Sequence, residues 1–241
     1  ANANAVKELV LGALFLSSRN LSPALSWAAA LRETCSGQDI AKAGEKGKSR
    51  FAGCEIAGKT LGVIGLGAIG VLVANAAETL GMKVVGYDPY ITLTAAHHLS
   101  NSIPVTGNLD AMLPQCDYLT IHVPAMDSTK GMISAEKIAL MKEGAIFLNF
   151  SRDKLVDEPA MLAALSEGRL RAYVSDFPND TTLGKPGVIC LPHLGASTQE
   201  AEDNCAIMAV QQLKDYIENL NISNSVNFPS CTLGPRKAQA R

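Results

Sequence analysis

The sequence predicts an α/β fold: a doubly wound, Rossmann-type parallel sheet with helices on both faces. From Gly58 onwards, short apolar runs alternate with helical patterns, the order produced by βαβ units with right-handed crossovers. Small aliphatic residues dominate a hydrophobic content of 47%, as parallel strands buried on both faces require. The first apolar run leads directly into a glycine-rich turn, Gly65–Gly70, and a strand, such a turn and a helix together indicate a nucleotide-binding unit.

The elements follow from hydrophobic periodicity, taken in chain order. Residues 3–18 carry apolar side chains at helical spacing and predict a helix that buries one face. The polar, Gly- and Lys-rich composition from Arg32 to Lys48 predicts an exposed connector. Strands are predicted at 61–65, 83–87, 103–106, 117–123, 145–150, 171–176 and 188–191. Helices are predicted near 68–80, 109–113, 134–142 and 158–166, and Thr198 is expected to cap a final helix that ends near Asn219.

Composition and charge exclude several classes of function. The 241 residues carry a formal net charge of −2, which does not favour binding to nucleic acid or to an anionic membrane. No apolar run approaches the length of a membrane span. The six cysteines are scattered without metal-ligand spacing, so no metal site is predicted. We expect reduced thiols in a cytoplasmic enzyme, with Cys116 and Cys190 in the core.

The glycine-rich turn and the strand that follows predict a dinucleotide site. Gly65 permits the tight turn, Gly67 lets the backbone approach a pyrophosphate, and Gly70 lets the helix pack closely on the sheet. The pyrophosphate is expected at the helix N-terminus, where free N–H groups favour negative charge. Asp88 ends the next strand, where an acid accepts the ribose hydroxyls and repels a 2′-phosphate. NAD is therefore favoured over NADP.

A second group of reactive side chains follows the later strands, at the sheet edge where such folds bind ligands. Arg152 can hold a substrate carboxylate through two parallel bonds. His193 can exchange the proton of a substrate hydroxyl near neutral pH, and Asp180 can orient its ring. Asp176 is better placed to meet the nicotinamide carboxamide. Three structural alternatives stay open, since Arg152 could be a surface arginine, His193 a hydrogen-bonded turn residue, and Asp180 part of a turn.

These segments together resemble the D-2-hydroxyacid dehydrogenase family, and within it the branch that oxidises 3-phospho-D-glycerate at the start of serine synthesis. The resemblance rests on residues 1–6, on the glycine-rich turn, and on the segments 121–124, 149–152, 173–179, 192–198 and 225–229. It implies that Arg152, Asp180 and His193 are catalytic. It also implies that the NAD site is lined by further residues from these segments, namely Gly65, Gly67, Ala68, Ile69, Gly70, Asp88, Val123, Pro124, Phe150, Ser151, Arg152, Asp176, His193, Gly195 and Ala196.

The resemblance also implies an organisation for the chain. Residues 1–197 are expected to form the NAD-binding domain, 198–220 a helix that returns toward the substrate domain, and 221–241 a linker or tail. The family assembles as homodimers or homotetramers through the nucleotide-binding domains and acts on small hydroxy acids. Parts of its substrate domain and its regulatory domain lie outside this sequence, so we expect this chain alone to turn over substrate poorly. A non-catalytic NAD-sensing scaffold is the alternative from another class.

The sequence departs from the family pattern at two positions near the predicted active site. Asp180 stands where the family usually has Glu, after a one-residue deletion that follows Asp176. Asp153 stands where the common pattern has Gly and places a carboxylate beside the predicted carboxylate-binding Arg152.

Overall fold

A computed structural model describes residues 2–225 and 227–233 and contains seven parallel strands in one sheet. The strands are β1 (Thr60–Ile64), β2 (Lys83–Tyr87), β3 (Val105–Thr106), β4 (Tyr118–Ile121), β5 (Ile146–Asn149), β6 (Ala172–Ser175) and β7 (Val188–Cys190). Their order in the sheet is β3-β2-β1-β4-β5-β6-β7. Because the order reverses between β1 and β4, the carboxyl ends of these two neighbours border a crevice, the usual ligand position in such folds. The predicted fold class is confirmed.

The described residues form nine α-helices with short 3₁₀ turns between some of them. The helices are α1 (Ala3–Ser18), α2 (Leu21–Thr34), α3 (Gln38–Gly47), α4 (Ala68–Thr79), α5 (Leu93–His98), α6 (Leu109–Met112), α7 (Ala135–Leu140), α8 (Glu158–Ser166) and α9 (Gln199–Asn219). Several begin at a side chain that accepts a backbone N–H of the first turn, the usual role of Ser, Thr, Asn and Asp at that position. These caps are Thr92, Asn108, Ser134, Asp157 and Thr198.

Alternating side chains of the strands build a hydrophobic core on each face of the sheet. In β5, Ile146 and Leu148 belong to the core cluster that includes α4, whereas Phe147 belongs to the cluster that includes α8. This division follows from the two-residue period of a strand. Both faces are covered by helices, so the central strands are mostly apolar rather than alternating.

The prediction of an exposed connector from Arg32 to Lys48 is wrong, because most of this segment is helical, although the segment is largely exposed as predicted. Helix α2 ends at Thr34 and α3 occupies most of the remainder, with Gly37 at φ +55° between them. No residue of α2 is buried, and Leu25 is 68% exposed. The run Ala28–Ala30 has high helix propensity, but a helix without a buried face lacks the periodic signal from which helices are predicted. Helix α5 was also missed, and β3 is shorter than predicted.

Side chains at the amino edge of the sheet tie α1 to the strands. The hydroxyl of Tyr118, at the start of β4, lies 2.8 Å from Ser18 Oγ, and both residues are buried. Arg171, just before β6, donates to the Ser18 carbonyl at 3.0 Å and to Cys54 Sγ at 3.1 Å. The guanidinium and the Tyr118 hydroxyl hold the pKa of the Cys54 thiol below its ordinary value, against the opposing effect of burial.

The chain divides into two compact units, Val6–Gly195 and the combination of Ala1–Ala5 with Ala196–Arg241. Within the second unit, Ile222 and Cys231 form an isolated antiparallel bridge. The predicted tail at 221–241 falls partly outside the described residues, since 226 and 234–241 are not described. Cys116 is buried as predicted, whereas Cys190 is only half-buried and lies in β7, the last strand in the order of the described sheet. Throughout the described ranges, no helix has the length and apolar character to cross a membrane.

Candidate functional site

A cavity of about 910 Å³ opens at the carboxyl ends of β1, β2 and β4. Its walls come from the glycine-rich turn, from the segment after β2 and from the segment after β4. Five of the residues predicted to bind the cofactor line it: Gly65, Gly67, Asp88, Val123 and Pro124. The cavity therefore lies beside the point where the strand order reverses, at the carboxyl ends of the strands.

Glycines at three positions determine the shape of the turn between β1 and α4. Gly65 adopts φ +92°, a conformation that costs a side-chain-bearing residue steric strain. A Cβ at Gly70 would lie 1.9 Å from the Gly65 carbonyl oxygen, so only glycine allows the helix to begin this close to the turn. A Cβ at Gly67 would meet nothing within 4 Å. The backbone at Gly67 therefore faces open space at the N-terminus of α4, where anions are favoured.

Asp88 joins the glycine-rich turn to the segment after β2. Its Oδ2 accepts the Leu66 N–H at 2.9 Å, and its Oδ1 accepts the Tyr90 N–H at 2.8 Å. Each carboxylate oxygen can accept more than one hydrogen bond, so both retain capacity for ribose hydroxyls. The acid lines the cavity in an orientation fixed by the backbone on both sides.

His122, the residue after β4, presents a neutral imidazole to the same cavity. Its Nε2 lies 3.0 Å from Thr120 Oγ1, while its buried Nδ1 has no hydrogen-bond partner among the described residues. Burial lowers the pKa of His122 to about 4, because removing the ring from water penalises the charged form. The place of His122 on the cavity wall is a finding of the structure.

The side chains of Arg152 and His193 both lie near one aromatic ring, that of Phe177. The Arg152 Cζ lies 5.8 Å from the centroid of the Phe177 ring, and the His193 ring centroid lies 4.9 Å from it. Arg152 follows β5, Phe177 follows β6, and His193 follows β7. The structure thus brings together two of the three predicted catalytic residues, both exposed at the carboxyl edge of the sheet.

Asp176 is buried, with 1% of its surface exposed, and its carboxylate binds the backbone after His193. Oδ1 accepts the Leu194 N–H at 2.8 Å, and Oδ2 accepts the Gly195 N–H at 2.7 Å. A carboxylate that accepts two backbone N–H groups is held strongly, because hydrogen bonds to an ionised acceptor are roughly twice as strong as neutral ones. The sequence predicts that Asp176 contacts the nicotinamide. Its two hydrogen bonds give it an additional structural role, which is to hold the backbone that follows His193.

Asp180 lies exposed in a turn that Asn179 organises. Asn179 Oδ1 accepts the N–H groups of Thr181 and Thr182, at 2.9 and 3.1 Å, and its Nδ2 donates to Glu158 Oε2 at 2.9 Å. Burial raises the pKa of Glu158, and the nearby Asp153 adds to that direction. The turn is therefore tied to the start of α8, while the predicted pairing of Asp180 with His193 stays a prediction.

The remaining predicted site residues lie at the same sheet edge or in the other compact unit. Ser151 Oγ donates to the Val123 carbonyl and so joins the segments after β5 and β4. Phe150 is buried in the core, and Ala68 and Ile69 form the first turn of α4. Ala196 belongs to the second unit. Sequence reasoning gave no role to Phe177 or Glu158, because Phe177 belongs to an irregular segment and Glu158 has the pattern of an ordinary acid in a helix's first turn.

Comparisons with known proteins agree with this geometry. Residues 25–195 match the profile of the D-isomer specific 2-hydroxyacid dehydrogenase, NAD binding domain. The chain is 37% identical over 236 residues to D-3-phosphoglycerate dehydrogenase of Methanocaldococcus jannaschii, covering 95% of this chain and 42% of that protein. It is 36% identical over 191 residues to the D-3-phosphoglycerate dehydrogenase of Synechocystis sp., covering 77% of this chain and 34% of that protein. The chain thus spans less than half the length of these relatives.

Solved structures place the fold in the same group. The structure of D-2-hydroxyisocaproate dehydrogenase superposes with a TM-score of 0.74 at 28% identity, over 89% of this chain and 66% of that one. An acyclic imino acid reductase solved with NADPH and D-Arg superposes equally well, with a TM-score of 0.74 over 90% of this chain and 66% of that one. At 24% identity that second likeness concerns the fold alone.

Proposed function

This chain belongs to the D-isomer-specific 2-hydroxyacid dehydrogenases, as the NAD-binding domain of that family, and from this premise we propose that it serves the oxidation of 3-phospho-D-glycerate to 3-phosphohydroxypyruvate. That reaction is the first step of L-serine synthesis. The relatives at 36–37% identity carry the name of this activity. Because the chain spans 42% and 34% of them, the activity is a proposal for the whole protein.

The glycine-rich turn and Asp88 fit the cofactor. The open backbone at Gly67 leaves room for a pyrophosphate at the N-terminus of α4, and the free capacity of the Asp88 carboxylate suits two ribose hydroxyls. NAD, when bound, supplies the hydride acceptor. The same carboxylate would repel a 2′-phosphate, which favours NAD over NADP.

The three catalytic candidates divide the remaining work. Arg152 binds the substrate carboxylate through two parallel N–H···O bonds and so fixes which face of the substrate carbon points to the cofactor. As the carbon–hydrogen bond breaks, His193 takes the proton of the substrate hydroxyl, so that the oxygen becomes a carbonyl. Asp180 is assigned to orient His193 and to stabilise its cation.

The observation that carries this proposal is that the Arg152 guanidinium and the His193 ring both lie near the Phe177 ring. A carboxylate anchor and a proton acceptor must stand at a fixed separation to act on one small hydroxy acid. A shared aromatic contact between residues from two different strand ends supplies such a separation.

Further properties of the whole protein are proposed on the same basis. We assign residues 1–197 to the nucleotide domain, 198–220 to a helix that returns to a substrate domain, and 221–241 to a linker. A homodimer or homotetramer formed through the nucleotide domains, and a cytoplasmic location, follow from the family resemblance. The partner is a small phosphorylated 2-hydroxy acid rather than a nucleic acid or a membrane.

Calorimetry and a substrate panel test the proposal together. Titration of oxidised NAD into the chain is expected to give saturable heat, and NADP is expected to bind at least about tenfold more weakly. NADH formation with 3-phosphoglycerate, glycerate and lactate then identifies the substrate, measured with this chain and with any longer natural form of it. Arg152→Ala should abolish turnover, whereas Arg32→Ala, at an exposed arginine of α2, should not.

Each other outcome has a definite meaning. Turnover of glycerate or lactate in preference to the phosphorylated acid would make the protein a sibling dehydrogenase. NAD binding without turnover of any acid by the longer form would favour an NAD-sensing scaffold. Absence of NAD binding to folded protein would contradict the proposal altogether.

A further inference from the structure

We infer that Asp176 and Phe177 are positioning residues that hold His193 and Arg152 in their working arrangement, an inference that rests on the proposed function for its catalytic meaning. The two residues are adjacent and follow β6, the strand between those that lead to Arg152 and to His193. Asp176 acts on the backbone after His193, and Phe177 contacts the side chains of both catalytic candidates.

The backbone of His193 needs an anchor. His193 has φ +58°, in the left-handed region that few residues with a side chain adopt. The next two N–H groups, of Leu194 and Gly195, both donate to the buried carboxylate of Asp176 at 2.8 and 2.7 Å. These two bonds hold the chain directly after the strained residue, so they fix the direction in which the His193 side chain leaves the backbone.

The approach of this carboxylate depends on Gly195. A Cβ at that position would lie 3.1 Å from Asp176 Oδ2 and 3.6 Å from Val6 Cγ2. The carboxylate and the loop backbone are therefore in closer contact than a side chain would comfortably allow. Glycine at 195 serves the anchor directly, and Gly195→Ala offers a way to disturb it without removing the charge.

Phe177 contacts the side chains of both His193 and Arg152. Its backbone N–H donates to Ser175 Oγ at 3.2 Å, which ties the residue to the end of β6. Its ring lies 4.9 Å from the His193 ring, at an interplanar angle of 57°, and 5.8 Å from the Arg152 guanidinium carbon. An aromatic face attracts a guanidinium and packs against an imidazole. One ring thus sets the spacing between the proposed carboxylate anchor and the proposed proton acceptor.

Nuclear magnetic resonance on the chain itself tests the anchor without any substrate. Asp176→Asn keeps the shape but places an N–H₂ group against one loop N–H, so one hydrogen bond is lost. Amide exchange at Leu194 and Gly195 is expected to rise about tenfold or more, and the nuclear Overhauser contact between the His193 and Phe177 rings should weaken. Gly195→Ala should produce the same changes. Asp127→Asn, which removes an exposed carboxylate, is the matched control and should leave both signals as in the wild type.

The aromatic contact has its own pair of variants. Phe177→Leu should remove the ring-current shift of the His193 ring protons, whereas Phe177→Tyr should retain it, because the ring is preserved. In a longer, active form of the protein, Phe177→Leu should lower kcat about tenfold or more with a smaller change in the KM for NAD, and Phe177→Tyr should restore kcat.

The outcomes separate this inference from the proposed function. Unchanged exchange at Leu194 and Gly195 in both Asp176→Asn and Gly195→Ala, with the other amide signals also unchanged, would overturn the anchor. An unshifted His193 ring in the wild type would overturn the role of Phe177. If the wild type fails to bind NAD while these signals behave as expected, the proposed function fails and the loop anchor stands.

Discussion

Protonation of His122 should destabilise the fold as the pH falls. Burial lowers the pKa of this histidine from its ordinary value of 6.5 to about 4. Between those two values the unfolded chain binds more protons than the folded one, so the contribution to stability is complete above 6.5 and is lost as the pH drops towards 4. Lowering the pH from about 7.5 to about 5 should therefore reduce the free energy of unfolding by at most about 2 kcal/mol through His122.

Denaturant unfolding at these two pH values measures the effect. The wild type should lose that free energy of unfolding on acidification, in addition to losses from its carboxylates. His122→Gln retains a group that can reach Thr120 Oγ1 and removes the titration, so its loss should be smaller by about 2 kcal/mol. His97→Gln, at an exposed histidine of α5, should behave as the wild type. A proton resonance titration of the His122 ring should give a midpoint near the value that burial sets.

Two results would refute this reasoning. One is a midpoint for His122 near 6.5, since burial would then not penalise its charge. The other is an equal dependence of stability on pH in the wild type and in His122→Gln, which would assign the acid sensitivity to other groups.

Three further changes test other parts of the structure. Gly70→Ala should destabilise the protein by about 1–3 kcal/mol in thermal or denaturant unfolding and weaken NAD binding, because its Cβ would lie 1.9 Å from the Gly65 carbonyl oxygen; wild-type stability would contradict the tight turn. The raised pKa of Glu158 means that its contribution to stability is present at low pH and is lost as the pH rises through the folded pKa. Glu158→Gln should therefore lose less free energy of unfolding between acid and neutral pH. A pH profile equal to that of the wild type would contradict this role of Glu158. Tyr118→Phe should cost about 1 kcal/mol by removing the buried contact to Ser18 Oγ, and a neutral result would show that the contact contributes nothing.

The sheet and its cofactor turn could be predicted from sequence because several local signals agree there. The run from Leu61 to Ile64 is apolar and short, the glycines follow immediately, and Asp88 ends the next strand. In the structure, Gly65 has φ +92° and a Cβ at Gly70 would lie 1.9 Å from the Gly65 carbonyl oxygen, so both positions require glycine. The predicted bounds of α1 and α8 are also correct, and the side chain of Asp157 caps the start of α8.

Contacts between distant segments could not be predicted in this way. The carboxylate of Asp176 binds amides 18 and 19 positions further along the chain, and Phe177 bridges side chains that follow two other strands. Such contacts depend on the order of the strands in the sheet, and the hydrophobic periodicity of a sequence gives no information about that order. Helix α2 was missed for another reason, because none of its residues is buried and its sequence therefore has little periodic pattern. Helix α3 was missed because the Gly- and Lys-rich composition from Arg32 to Lys48 indicates a connector.

The hydrogen bonds of Asp88 restrict how cofactor preference could be redesigned. Exchanging this acid for a smaller neutral residue is the obvious way to admit a phosphorylated ribose, but it would also release the Leu66 and Tyr90 amides. The glycine turn and the segment after β2 would then lose the bridge between them. A useful variant would have to supply new acceptors for both amides while adding positive charge, because Asp88 has a structural role in joining these two segments.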